Sequence, residues 1–235
     1  TDRLDPLFDR LASFLPELLP QVLERQDSQP TPVRPEGPFA IADQRALAAE
    51  LMQALGFDFD RGRLDISHHP FCGGATGDVR ITTRYNEDDF TESLMGVLHE
   101  TGHALYEGGL PSDWQFQPVG NALGMAVHES QSLLIEMQVS RSRPFLNYAL
   151  PRMQSAFTGT GGAWDVDNIY RLYTRVEPGF IRVDADEVTY PLHVILRYRL
   201  ERAMLSGDLD LADLPGAWND AMGDLLGITP PDDRL

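Results

Sequence analysis

Residues 99–103 read His-Glu-Thr-Gly-His, an H-E-x-x-H motif within the stretch that most strongly favours a helix. The helix is predicted to begin after Asn86, where acidic residues suit the positive end of the helix dipole. It is predicted to end near Glu107, before two glycines. Residues four apart lie on one helix face, about one turn from each other, so both imidazoles can bind one ion. The motif predicts a metal-binding helix; the alternative is two histidines that share a face by coincidence.

Glu100 is the candidate general base, because it adjoins a histidine of the motif and can reach a water molecule at the ion. A catalytic zinc site of this type needs three protein ligands and one open position. The third ligand is expected from a second helix, predicted over about residues 120–142, which carries His128 and Glu129. Either can be the ligand, since neighbours on a helix point about 100° apart and only one faces the ion. The alternative for Glu129 is a solvated surface carboxylate.

The remainder of the chain is predicted to be mainly α-helical with a small β-sheet. Residues 64–71 and 78–85 are rich in β-forming side chains, and the glycines between them favour a hairpin. Further helices are predicted over 42–55, 165–176, 185–206 and 215–226 from apolar spacing and terminal glycines.

The organisation predicted is one catalytic-core domain over residues 1–235. Its start, residues 1–40, is expected to be irregular or to form short helices, because Pro16 and Pro20 interrupt the helical pattern. A small β region follows over 64–85, and residues 86–230 form a helical core that holds the metal site.

Composition excludes several classes of protein. The 235 residues include 36 acidic and 19 basic side chains, and the net charge of −17 argues against binding nucleic acid or an anionic membrane. No apolar run approaches the roughly 18 residues of a membrane helix. The single cysteine, Cys72, excludes an internal disulfide and a Cys-rich zinc module. Residues 1–5 lack a signal-peptide pattern, so a cytoplasmic location is predicted.

Five motifs in chain order resemble those of one family, the carboxypeptidase Taq metallopeptidases. They are H-P-F at 69–71, D-x-R-x-T at 78–82, H-E-x-x-H at 99–103, H-E-S-Q at 128–131 and I-R-x-x-A-D at 181–186. The resemblance implies a zincin-like fold in which His99, His103 and Glu129 bind zinc and Glu100 activates water. Cobalt or manganese can occupy such a site as well.

The resemblance also implies what the site acts on. It implies zinc-dependent removal of the C-terminal residue of peptides, with broad tolerance for that residue, by a homodimer. Arg182 is then expected to bind the peptide's C-terminal carboxylate through a forked, charge-assisted pair. The alternative for Arg182 is an internal ion pair with Asp184 or Asp186. Tyr190 is a candidate donor to the developing oxyanion, or a core tyrosine.

Other motif residues are expected to support the site. Asp78 and Arg80 are predicted to brace it from a strand. His69 and His128 are candidates for contact with substrate or with the ligands, and the alternative for both is a buried structural histidine.

The sequence departs from the family's pattern at two points. Related zinc peptidases often carry an Asp four residues after the Glu ligand, to orient a histidine ligand, and here that residue is Leu133. The family's downstream G-x-x-Q-D-x-H-W motif is missing, which indicates a truncated member. Two further hypotheses follow: an oligopeptidase or endopeptidase that uses the same helix pair, and a metal-binding scaffold without catalysis.

Overall fold

A computed structural model describes residues 2–75 and 77–232, which group into two compact units. One unit is Pro32–Tyr173, and the other consists of the remaining described residues. Helices dominate and one three-stranded sheet is present in the described chain, so the predicted fold class is confirmed. That the units act as a single catalytic-core domain stays a prediction. None of the helices in the described part combines the length and apolar character that crossing a membrane requires.

Eight α-helices lie in the described residues, and they differ in how strongly their apolar residues gather on one face. In chain order they are α1 (Leu4–Asp27), α2 (Ile41–Leu55), α3 (Phe90–Gly108), α4 (Met125–Leu133), α5 (Arg143–Phe157), α6 (Val166–Tyr173), α7 (Tyr190–Ser206) and α8 (Leu214–Leu226). A π-helical segment, Leu134–Ser140, continues α4 directly.

The sheet lies in the Pro32–Tyr173 unit and has the strand order β1-β3-β2. Its strands are β1 (Gly62–Ile66), β2 (Phe71–Ala75) and β3 (Asp78–Thr83). A hairpin is present, but it is formed by β2 and β3: Gly73 and Gly74, expected in the turn, are paired within β2, and most of the predicted strand 64–71 is β1, which pairs in parallel with β3 on its other edge. The parallel pair was not predicted, because the prediction has one strand over residues 64–71, whereas residues 67–70 leave β1 and lead to β2 at the opposite edge of β3.

Helix α3 is the central element of this unit. The Asp89 side chain caps its start by accepting a hydrogen bond from the Thr91 backbone N–H at 2.8 Å. Most of its side chains are buried, because the sheet, α2, α4 and the π-helical segment all pack against it. Phe90, at its first turn, stacks on Trp164 with a centroid distance of 5.7 Å and an interplanar angle of 3°. This packing on several sides holds the H-E-x-x-H motif rigidly.

The second unit packs α1, α7 and α8 around their own apolar core. Here the prediction of short helical pieces in residues 1–40 was wrong, because α1 is continuous through Pro16 and Pro20. The two prolines are four residues apart and so lie on one face of α1, outside its fully buried side. Leu15 and Leu19, each about 100° around the helix from the proline that follows it, are buried, and their burial offsets the lost hydrogen bonds.

The helix expected over 185–206 begins only at Tyr190, as α7, and two further parts of the chain also differ from the prediction. The helix expected over 120–142 begins only at Met125, since Gly124 has a φ of 89° that a right-handed helix does not accept. α5 was not predicted, because its two prolines suggest an irregular segment. Pro144 lies in its first turn, where a missing N–H costs nothing, and Leu146 and Met153 are fully buried.

Candidate metal centre

Three side chains from α3 and α4 converge on one point. His99 and His103 project from α3 one turn apart, with ring centroids separated by 5.0 Å. An oxygen of Glu129, on α4, lies 3.2 Å from Nε2 of His103 and 3.8 Å from Nε2 of His99. The donor atoms of the three residues all lie within 4.8 Å of one another. The structure therefore brings together the three predicted ligands.

Gly102 allows α3 and α4 to approach closely enough for this convergence. A Cβ atom at residue 102 would lie 2.5 Å from the carbonyl oxygen of Gln131 and 2.6 Å from Cα of Ser132. Both neighbours are backbone atoms, which cannot rotate away as a side chain can. The glycine inside the H-E-x-x-H motif therefore sets the distance between the two helices at Glu129.

The outer nitrogen of His99 is bound by a carboxylate that sequence analysis missed. Nδ1 of His99 lies 3.0 Å from Oε2 of Glu136, in the π-helical segment. Arg141 donates to the other oxygen of Glu136, and the side chains of this pair are only 15% and 13% exposed. The only sequence signal was a glutamate that follows Glu129 on the same predicted helix.

The electrostatics of the site favour ionised carboxylates at the ligand positions. Hydrogen bonding to His103 holds the pKa of Glu129 below its usual value, despite partial burial. Burial would raise the pKa of Glu136, but the hydrogen bond with His99 and the nearby Arg141 outweigh it, so this pKa is also lowered. Burial lowers the pKa of His99, but the hydrogen bond with Glu136 and the charges of Glu136, Glu129 and Glu100 together outweigh it, so this pKa rises.

The outer nitrogen of His103 has a different partner. Its Nδ1 lies 2.7 Å from Nδ1 of His128, and Nε2 of His128 lies 2.8 Å from Oε1 of Glu107. His128 thus sits behind His103, whereas Glu129 faces the Nε2 atoms of the histidine pair. The geometry favours Glu129 over His128 as the third ligand, and it places His128 against a ligand rather than in an isolated core position.

Glu100, the predicted base, is buried in α3 with 7% exposure. Burial is the largest influence on its carboxyl group and raises its pKa, while the adjacent His99 and His103 pull in the opposite direction. A carboxylate with a raised pKa accepts a proton more readily, as a general base requires. Its role stays a prediction.

Three predicted supporting residues do not contact the ligands in the described part of the chain. Asp78 and Arg80 are exposed on β3 and pair with each other at 2.7 Å. The His69 ring is also exposed, and it is the backbone carbonyl of His69 that accepts a hydrogen bond from Thr82, at 3.1 Å. The hydrogen bond from Thr82 ties the H-P-F element to β3. Support of the site by His69, Asp78 and Arg80 stays a prediction.

Arg182 and Tyr190 belong to the other unit. An Nη atom of Arg182 donates to the Tyr190 hydroxyl at 2.8 Å. Among the described residues, Arg182 forms no ion pair with Asp184 or Asp186, which removes the alternative considered for it. The Asp186 carboxylate instead accepts hydrogen bonds from the backbone before α7. Arg182 is therefore left without a carboxylate partner in its unit, although its predicted role toward substrate stays a prediction.

The three ligand residues suit a divalent metal ion. A tetrahedral zinc site with bonds of about 2.0 Å places neighbouring ligand atoms about 3.3 Å apart, close to the 3.2 and 3.8 Å seen here. Both imidazoles have Nδ1 occupied by an outer partner, so Nε2 is left for the ion. Two nitrogens and one oxygen also form the donor set of catalytic zinc sites with an open fourth position.

Comparisons with known proteins agree with this geometry. The whole chain, residues 1–235, matches the family described as carboxypeptidase Taq (M32) metallopeptidase. Thermostable carboxypeptidase 1 of Thermus thermophilus is 43% identical over 228 residues, which cover 97% of this chain and 44% of that protein. Carboxypeptidase 1 of Bacillus subtilis is 38% identical over 231 residues, 98% of this chain and 46% of that protein. The chain spans about half the length of these relatives.

Solved structures show the same relationship. Metallocarboxypeptidase 1 of Trypanosoma cruzi superimposes with a TM-score of 0.94 and 47% identity, covering 97% of this chain and 48% of that one. An M32 carboxypeptidase from Deinococcus radiodurans R1 gives a TM-score of 0.92 and 38% identity, covering 99% and 47%. The fold of this chain is therefore found in about half of each of these larger proteins.

Proposed function

Because the chain belongs to the carboxypeptidase Taq (M32) metallopeptidase family, we propose that it hydrolyses the C-terminal residue of peptides at the His99, His103 and Glu129 centre. The observation that carries this proposal is the convergence of the three donor atoms within 4.8 Å, beside the buried Glu100. Zinc is the cation proposed, since two imidazoles and one carboxylate form its usual catalytic donor set. Cobalt and manganese are the alternatives.

A divalent cation in this centre supplies Lewis acidity toward the scissile carbonyl and toward a water molecule. Glu100 accepts a proton from that water as it attacks the carbonyl carbon, and later passes the proton to the leaving amine nitrogen. Burial of Glu100 among apolar neighbours of α3 strengthens its basicity for the first transfer. The C–N bond breaks, and the products are a shortened peptide and a free amino acid.

Arg182 is proposed to select the C-terminus by pairing with the terminal carboxylate. Support comes from its guanidinium, which forms no ion pair with a carboxylate among the described residues of its unit and is oriented by the Tyr190 hydroxyl. A planar guanidinium binds a carboxylate through two parallel hydrogen bonds, which a lysine cannot reproduce. Tyr190 is then a residue that positions Arg182 and is also the candidate donor to the oxyanion.

The test of the proposed reaction is the Glu100→Gln variant, with Glu92→Gln on an exposed part of the same helix as the matched control. Peptide products are followed by mass spectrometry, with a chelator control and a measurement of bound metal. Loss of about 10²–10⁴-fold in kcat, with one metal still bound, is expected for Glu100→Gln alone. Turnover that survives this substitution contradicts the role of Glu100.

The same product analysis separates the alternative functions. Chelator-sensitive release of single C-terminal residues supports a carboxypeptidase, and internal fragments indicate an oligopeptidase or endopeptidase. Tight metal binding without any turnover indicates a non-catalytic scaffold. An Arg182→Met variant should lose activity toward free C-terminal carboxylates, while Arg175→Met, an exposed arginine paired with Glu177, should not.

A homodimer and a cytoplasmic location complete the proposal, and both derive from the sequence analysis. Light scattering after size-exclusion chromatography tests the first, and cell fractionation tests the second. A monomer at micromolar concentration, or recovery outside the cytoplasm, contradicts the respective proposal.

A further inference from the structure

We propose that His128 is a positioning residue that fixes the tautomer and ring orientation of the ligand His103, and that Glu107 does the same for His128. This inference rests on the proposed metal centre, because its purpose is to direct Nε2 of His103 toward the ion. It gives His128 a role distinct from direct metal binding and from contact with substrate.

The three residues form a continuous hydrogen-bonded row. The Nδ1 atoms of His103 and His128 are 2.7 Å apart, and Nε2 of His128 lies 2.8 Å from Oε1 of Glu107. The His103 side chain is 11% exposed and the His128 side chain 14%, while Glu107 is 29% exposed at the end of the row. The rings of Tyr106 and His128 pack at right angles, with centroids 5.0 Å apart and an interplanar angle of 89°, and this contact limits rotation of the His128 ring.

The direction of each hydrogen bond follows from the chemistry of imidazole. A neutral imidazole has one N–H donor and one acceptor nitrogen. Because His103 presents the lone pair of Nε2 to the ion, its proton is on Nδ1 and is donated to Nδ1 of His128. His128 then carries its own proton on Nε2 and donates it to Glu107, which accepts as a carboxylate. No other pair of neutral tautomers satisfies both contacts while Nε2 of His103 stays free.

The two histidine ligands are therefore oriented by different kinds of group. Behind His99 stands Glu136, a buried carboxylate paired with Arg141. Behind His103 stands a second imidazole, that of His128, and the Glu107 carboxylate lies one residue further away. A hydrogen-bonded outer partner holds a ligand histidine in place, and loss of such a partner typically costs 10–100-fold in metal affinity. Both ligands are thus constrained before the ion arrives.

Nitrogen-15 NMR of the labelled, zinc-loaded protein tests the tautomers directly. Long-range couplings should show the proton of His103 on Nδ1 and the proton of His128 on Nε2, with both rings neutral. A His128 that is protonated on Nδ1, or that carries two protons, overturns the assignment. This measurement uses the unaltered chain and therefore does not depend on any variant that folds poorly.

Zinc and cobalt affinity, measured by competition with a chelator, tests the effect on the metal site. The His128→Ala variant should bind about 10–100-fold more weakly and give an altered cobalt absorption spectrum. The His128→Asn variant, whose side-chain oxygen can still accept from His103, should recover part of this loss. The matched control is Ser130→Ala, which alters an exposed neighbour of His128. Among the described residues, the Ser130 hydroxyl donates to the backbone carbonyl of Val127 in its own helix and accepts from the side chain of the adjacent Gln131.

The Glu107→Ala substitution, made alone and together with His128→Ala, tests the order of the row. If Glu107 acts through His128, its removal should weaken binding in the wild-type background and have little further effect in the His128→Ala background. Additive losses overturn this order. Failure of the unaltered chain to bind metal refutes the proposed function, whereas normal binding by His128→Ala refutes only the inference.

Discussion

The Nδ1 atom of His99 lies 3.0 Å from Oε2 of Glu136, seven positions beyond Glu129 along the same helical run. Related zinc peptidases often have an Asp four residues after the Glu ligand, beside a ligand histidine, but that residue here is Leu133. Glu136 is the carboxylate that lies beside His99 instead. The second oxygen of Glu136 accepts from Arg141, so one carboxylate joins the proposed ligand His99 to a buried guanidinium.

Removing the Glu136 carboxylate should weaken the metal site. Glu136→Gln retains an acceptor for His99 but loses the negative charge, so metal affinity should fall by about 10-fold or more. Its thermal stability should fall as well, because the buried Arg141 loses its charged partner. Chelator competition and thermal melts measure these effects, with the exposed Gln138→Ala as control. Unchanged affinity in Glu136→Gln contradicts the orienting role.

A methyl group at residue 102 should separate α3 from α4. The Gly102→Ala variant places Cβ within 2.6 Å of two backbone atoms of the facing helix, and overpacking of this kind costs about 1–3 kcal/mol. Gly96→Ala, on the same helix, meets Pro70 only at 3.8 Å and should not destabilise the protein. Denaturant unfolding compares the two. Metal affinity should fall with Gly102→Ala alone, and equal behaviour of both variants contradicts this account.

Asp186 should be more important for folding than its exposed neighbour Asp184. Its carboxylate accepts from the backbone N–H groups of Glu177, Val188 and Thr189 and from the Thr189 hydroxyl. Asp186→Asn turns an NH₂ group toward these donors and should lower the free energy of unfolding by about 3 kcal/mol. Asp184→Asn should change it little. Urea titrations of both variants provide the comparison, and a neutral Asp186→Asn is the contradictory result.

Cys72 should react slowly with alkylating reagents while the chain is folded. Burial, with a further contribution from Glu100 and Glu107, raises the pKa of the Cys72 thiol from 9.0 to about 12. At pH 8 the thiolate fraction should then be roughly 1,000-fold below that of the unfolded chain. Because the raised pKa favours the neutral thiol, its contribution to stability is present below pH 9 and is lost as pH rises toward 12. Iodoacetamide labelling with and without denaturant tests this, and similar rates in both are the contrary outcome.

The sequence predicted the motif-bearing helix because its evidence is local. The spacing of His99 and His103, the acidic start before Phe90 and the glycines after Glu107 all act within one helix. Glu129 lies on the next predicted helix, so one contact between two helices is enough to bring it near His99 and His103. Local spacing and capping were sufficient for His99 and His103, whereas the choice of Glu129 over His128 came from the resemblance of the ordered motifs; the structure brings the donor atoms of these three residues together.

The partners behind the ligands were not predictable in the same way. The position of Glu136 depends on a π-helical register, and regular helical geometry directs attention to Leu133. The contact between His103 and His128 depends on the close approach of two helices at Gly102, which no periodicity reveals. Helix α1 was mispredicted for a related reason, since burial of Leu15 and Leu19 outweighs the local cost of two prolines.

The π-helical segment makes the length of this stretch as important as its composition. Hydrogen bonds in a π-helix span five residues rather than four, so the segment accommodates more chain per turn than regular helix does. One further residue inserted between Glu136 and Ser140 would rotate everything after it by about 100°. Arg141 would leave Glu136, although every side chain involved would still be encoded. Within these seven residues, an insertion can therefore disable the site even though no side chain of the site is replaced.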